Sequence, residues 1–217
     1  MRVYVHGSGR SGREAWPRNS TEDAVFADLA AVPTVDEKTA ALGLLVAPGA
    51  TVIAHSSGAV PAVLAVARRT VSAGALVLIE PAAYDVARGV PVIERHITTM
   101  TTAQAAAEEG DLFGYWSSVR PMLFGGRAER SSWAAERETA ERFASIEVPW
   151  GHGVTADMIA DVPTLVLTGG WNDEYEAIAA ALVPHGAIHR QLVGHEHRPH
   201  DHPDFVPVVQ EFLAGTA

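Results

Sequence analysis

Three stretches hold residue types and spacings that could do chemistry together. In Thr51-Val-Ile-Ala-His-Ser-Ser-Gly58 an apolar, β-prone run delivers a serine onto a turn of small residues. The segment that follows, Gly58-Ala-Val-Pro-Ala-Val-Leu-Ala-Val-Ala67, has a helix-like pattern. A serine on such a strand-to-helix elbow sits on strained backbone, and the sharp turn demands small residues two places to either side. Ala54 and Gly58 meet that demand, which makes Ser56 the candidate nucleophile. The plainer reading of Ser-Ser-Gly is a turn and helix N-cap. A serine hydroxyl becomes reactive only when a base takes its proton, a third group orients the base, and donors meet the developing oxyanion. The second stretch, Gly194-His-Glu-His-Arg-Pro-His-Asp-His-Pro203, offers four imidazoles as bases. The third, His6-Gly-Ser-Gly-Arg-Ser-Gly12, is a glycine-rich loop after a strand.

Each stretch has a competing chemistry. Gly7-Ser-Gly-Arg-Ser-Gly12 matches the G-x-G-x-x-G of dinucleotide sites. Against this, Arg13-Glu-Ala-Trp-Pro17 starts a helix poorly, and only Asp28 stands where the ribose-binding acid would be expected. The histidine run invites a metal, but an H-x-H-x-D-H pattern needs an aspartate where Pro199 stands, and no cysteine completes a ligand set. The expectation is no cofactor and no catalytic metal.

The elements that must position these residues are legible as alternating runs. Strands are expected at Arg2–Val5, Ala24–Leu29, about 51–55, Ala75–Ile79, Val162–Thr168 and Ile188–Val193. Helices are expected at 34–46, 58–70, 174–182 and 205–213. Ala75-Leu-Val-Leu-Ile79 is continuously apolar, as a parallel strand covered on both faces must be. Strand–helix alternation points to a doubly wound parallel sheet. Residues 83–160 break the rhythm with an Ala-, Glu-, Thr- and Trp-rich stretch that reads as a helical insertion over the sheet's C-terminal edge, where ligands bind. Within it Phe113, Tyr115, Trp116, Trp133 and Trp150 are candidate pocket aromatics, with core packing the better reading for most.

Composition narrows the class. At 217 residues and 47% hydrophobic the chain suits one globular domain. A formal net charge of −10 without a basic cluster argues against nucleic acid or anionic membrane partners, leaving a small-molecule substrate. The absence of cysteine excludes thiol catalysis and disulfides. Met1 leads directly into a strand, and no run approaches 18 strongly apolar residues, so a cytoplasmic protein is expected.

Over nearly its whole length the chain resembles the α/β-hydrolase superfamily. The resemblance is carried by His6-Gly-Ser-Gly9, by Ala54-His-Ser-Ser-Gly58 with alanine for the first elbow glycine, by Val162-Pro-Thr-Leu-Val-Leu-Thr-Gly169, and by the histidine-rich stretch before the last helix. It implies an α/β fold with a mostly parallel sheet lacking the family's two leading strands. It further implies a single domain over residues 1–217 with a small helical cap at about 83–160. By the same likeness, the backbone N–H groups of Ser8 and Ser57 form the oxyanion hole. The family's histidine pattern, completed by x-Pro, falls on His197 in His197-Arg-Pro199, with His195 as the rival. His200 and His202 are read as solvated or structural.

Many relatives place the acid nine residues beyond the proline of the P-T-L-V strand. Here that is Asn172, with Asp173 one place late. A subset including haloalkane dehalogenases and zearalenone-lactonase-like enzymes instead takes a glutamate after the next strand, which is Glu80 in Leu78-Ile-Glu-Pro81. Glu80 is favoured over Asp173. The implied activity is hydrolysis of a carboxylester or lactone. A same-fold lyase of the hydroxynitrile type, or a non-catalytic small-molecule binding protein on the same scaffold, stands as the alternative.

Overall fold

A computed structural model describes residues 1–216. In chain order the elements are β1 (Arg2–Val5), β2 (Ala24–Ala27), α1 (Val35–Leu45), β3 (Thr51–His55), α2 (Ala59–Ala67), β4 (Ala75–Ile79), α3 (Pro91–Glu108), α4 (Leu112–Leu123), α5 (Trp133–Ala144), β5 (Thr164–Thr168), α6 (Asp173–Leu182), β6 (Ala187–Gln191) and α7 (Phe205–Ala214). The strands form one sheet of order β2-β1-β3-β4-β5-β6, with every pairing parallel. The central strands β3, β4 and β5 are buried at every residue, which explains their unbroken apolar runs.

Side chains alternate between the two faces. On one face Tyr4, Ile53, Val77, Ile79, Leu165 and Leu167 pack with Trp16 and with Phe205, Val209 and Phe212 of α7. The alternate residues Val3, Val5, Val52, Leu76, Leu78 and Val166 are equally buried, so the sheet is covered on both sides. The start of α1 is set locally by a capping box, in which Thr34 and Glu37 satisfy each other's backbone N–H.

Register brings the chemistry to one rim. Val5 pairs with Ala54, His55 with Ile79, and Ile79 with Leu167. Parallel strands ending at the same level therefore place residues 6–8, 56–58, 80 and 168–169 side by side.

The chain divides into two compact units, Met1–Arg88 with Val148–Ala217, and Gly89–Glu147. The helical unit is narrower than the expected 83–160. The single-turn helices Tyr84–Ala87 and Ala156–Ile159 and the segment between them and the sheet belong to the larger unit. The smaller unit consists of α3, α4 and α5 around Ala103, Tyr115, Trp116, Val119 and Ala140. Of the expected pocket aromatics, Tyr115 and Trp116 lie in that small core, and Phe113 and Trp133 meet edge-on at 5.2 Å between centroids. Among the described residues no helix is long and apolar enough to cross a membrane.

Candidate active site

Ser56 follows β3 with φ of +54°, one of five non-glycine residues with positive φ among those described. A left-handed conformation is costly for an L-residue, so its presence between a buried strand and a helix is the structural mark of the elbow. The crowding the elbow creates is explicit. A Cβ on Gly58 would stand 2.4 Å from the carbonyl oxygen of His6, and one on Gly7 would stand 2.8 Å from Cβ of Ser56. The glycine-rich loop therefore crosses directly over the nucleophile turn. His6 anchors that loop: its Nε2 accepts from the Leu29 N–H at 2.9 Å, leaving Nδ1–H to donate to Gly7 O at 2.7 Å. Ser8 and Ser57 are brought together, with their hydroxyl oxygens 2.9 Å apart.

Glu80 leaves β4 with φ of +43° and is fully buried. A buried carboxylate needs compensating donors, and two are present. The Gly169 N–H donates to Oε1 at 2.5 Å and the Trp171 indole N–H donates to Oε2 at 3.0 Å. The same Oε2 faces Nδ1 of His197 at 3.5 Å. Of the two candidate bases His197 reaches the acid, whereas His195 packs edge-on against His202 at 5.4 Å. Of the two candidate acids, Asp173 is exposed in the first turn of α6 and Glu80 is the one beside the imidazole.

His197 is held from three sides. Its carbonyl accepts from Nε2–H of His55 at 2.8 Å, and its ring lies 4.7 Å from that of His55 and 5.2 Å from that of Tyr175. A Cβ on Gly169 would come within 2.2 Å of the Glu196 carbonyl oxygen, so the β5 turn and the histidine loop touch backbone to backbone. Burial, with the Glu80 and Glu174 carboxylates nearby, raises the Tyr175 hydroxyl above its ordinary range.

Behind the base lies a second imidazole layer, in which His200 takes the structural rather than the solvated of its two expected roles. His200 is buried, 4.6 Å from the His55 ring and 4.7 Å from the Trp16 ring. Burial and the Arg198 guanidinium push it down to about 3, and burial followed by His197 and His200 holds His55 well below the usual histidine value. Both rings are therefore neutral near pH 7. Among the described residues no three His, Asp or Glu side chains converge as metal ligands would.

No protein-family model matches the sequence, and no curated protein does. Solved structures match over almost the whole chain. An α/β-hydrolase from Sphaerobacter thermophilus superposes with a TM-score of 0.64 at 21% identity, covering 98% of this chain and 91% of that one. NosK from Streptomyces actuosus gives 0.59 at 24% identity, covering 99% and 98%. A structure from work on carboxylesterases of Nitrososphaera gargenis gives 0.61 at 17% identity, covering 99% and 90%. The chain has the α/β-hydrolase fold. Within that α/β-hydrolase fold, the rim assembled from β1, β3, β4, β5 and the loop after β6 is where the five expected residues Ser8, Ser56, Ser57, Glu80 and His197 stand. Sequence reasoning missed His55, Trp171 and Tyr175. Trp171 follows β5 closely, so for it position after a buried strand was the available signal.

Proposed function

We propose that the protein is a serine hydrolase that cleaves an ester-like bond, a carboxylester or lactone of a small, largely apolar molecule, through Ser56, His197 and Glu80. One observation carries the reading. The fully buried Glu80 carboxylate, fastened by two N–H donors, faces Nδ1 of His197 at 3.5 Å beside a serine on a left-handed elbow. A carboxylate at Nδ1 selects the tautomer that leaves Nε2 unprotonated and stabilises the imidazolium that follows. Ser56 Oγ then attacks the carbonyl carbon as His197 takes its proton, and the amides of Ser8 and Ser57 receive the oxyanion. Collapse breaks the bond to the leaving group, which departs with the proton from His197. Water, deprotonated by the same base, releases the acyl group. A serine rather than a carboxylate on the elbow favours acyl transfer over displacement at saturated carbon. The Nitrososphaera structure comes from work on carboxylesterases, an instance of this chemistry on the same fold.

The test combines a fluorophosphonate probe with a panel of p-nitrophenyl esters of increasing chain length and simple lactones. The wild-type chain should label and turn over at least one ester or lactone, and Ser56→Ala should abolish labelling and lower turnover by at least ~10³-fold. A folded wild type that takes no label would overturn the proposal and leave a non-catalytic binding role.

A further inference from the structure

Burial alone does not explain a tryptophan that leaves 44% of its surface in solvent, as Trp171 does. Yet its seat is built. Only hydrogen fits on Gly169 beneath it, because a Cβ there would stand 2.8 Å from Cδ1 of the indole. Gly170 carries the turn onward with φ of +68°. Asn172 fixes the turn's end, its Oδ1 accepting from the Glu174 N–H at 2.7 Å as α6 begins. What this turn delivers is a donor. An indole has one N–H and no acceptor, so the 3.0 Å contact with Glu80 Oε2 runs from Trp171 to the carboxylate.

The two oxygens of Glu80 are thus held by different donors, Oε1 by the Gly169 N–H at 2.5 Å and Oε2 by the indole. The last torsion of a glutamate is broad. One anchor would leave the carboxylate free to turn about it, whereas one on each oxygen fixes its plane. His197 shares Oε2, but its Nδ1 stands 3.5 Å away, the longer of the two contacts. The indole rather than the imidazole sets where Oε2 stands.

We propose that Trp171 is a positioning residue that fixes the plane of the Glu80 carboxylate and so the oxygen that orients His197. The proposal rests on the hydrolase reading given above. The turn after β5, where Asn172 occupies the place at which an acid was sought, serves the acid with donors instead of supplying it.

Trp171→Phe keeps a ring on the rim and removes the N–H. A hydrogen bond to a charged group corresponds to about a ten- to hundredfold effect. For a p-nitrophenyl ester, kcat should therefore fall by at least about tenfold while KM stays within about twofold. In a Glu80→Gln background the same substitution should change kcat by less than about twofold, because no carboxylate is left to orient. A smaller fall in the wild-type background, or an equal fall in both, overturns the proposal. The same four proteins are also compared without activity, by urea unfolding. Coupling of at least about threefold in the unfolding equilibrium constant supports the indole's hold on the carboxylate, and strict additivity overturns it. A wild type that takes no fluorophosphonate label would refute the hydrolase reading alone, and the unfolding cycle would still decide whether Trp171 holds Glu80.

Discussion

Mild acid should destabilise this protein through two buried rings. His55 and His200 are buried neutral, the first held well below its ordinary value by burial, His197 and His200, the second near 3 by burial and Arg198. In the unfolded chain a histidine titrates near pH ~6.5. Because the folded values are depressed, the unfolded chain takes up protons that the folded chain refuses. The stabilisation is complete above about pH 6.5 and is lost as pH falls from there toward the folded values. Each pH unit below 6.5 costs about 1.4 kcal/mol per ring. At pH 5 that is about 2 kcal/mol for His200, and His55 adds to it in the same direction. This is a large part of the roughly 5–15 kcal/mol that holds a typical domain folded.

The assay is urea unfolding at pH 7, 6 and 5 at constant ionic strength. With a slope of roughly 2–3 kcal/mol per molar, the midpoint should fall by at least about 0.7–1 M from pH 7 to pH 5. Carboxylates titrate mostly below this window, which isolates the histidines. His200→Asn should reduce the pH dependence while lowering the starting stability. A midpoint flat between pH 7 and 5, or a pH slope untouched by His200→Asn, would refute the reasoning.

Three further outcomes follow from the site geometry. Glu80→Gln should reduce kcat of ester turnover by about 10²–10⁴-fold, while Asp173→Asn, exposed at the start of α6, should stay within about twofold in the same steady-state assay. Gly58→Ala drives a methyl to 2.4 Å from the His6 carbonyl oxygen, so the unfolding midpoint should report a loss of about 1–3 kcal/mol. Asp85 accepts the backbone N–H groups of Gly151, His152 and Gly153 at 2.8, 3.0 and 3.0 Å. Its replacement by Ala should cost about 1–3 kcal/mol and speed limited proteolysis around residues 148–153.

The sheet was readable because a parallel strand buried on both faces must be apolar without interruption, as in Ala75–Ile79. Ser56 was readable because an elbow demands small neighbours, a demand now visible in the contact between Gly58 and His6. Glu80 stood out because a carboxylate straight after such a strand needs partners. The supporting shell was not readable for the opposite reason. Tyr175 shares the buried stripe of α6 with Ile178, Ala179 and Leu182, and so reads as ordinary core. His55 and His200 meet only through folding, 145 residues apart in sequence (200 − 55). The limits of the helical unit escaped because the single turns at 84–87 and 156–159 are too short to carry a period.

Ser56, Glu80 and Glu196 share a backbone state that L-residues avoid, and all three lie on the reactive rim or next to the base. Conformations of this kind cost of order 1–3 kcal/mol each and persist only where surrounding structure over-determines them. The rigid ladder of strands below supplies that constraint, so the rim is a loaded spring seated on a stiff base. When heat or denaturant softens the molecule, the spring relaxes first, and the power to react should fade while the ladder still stands.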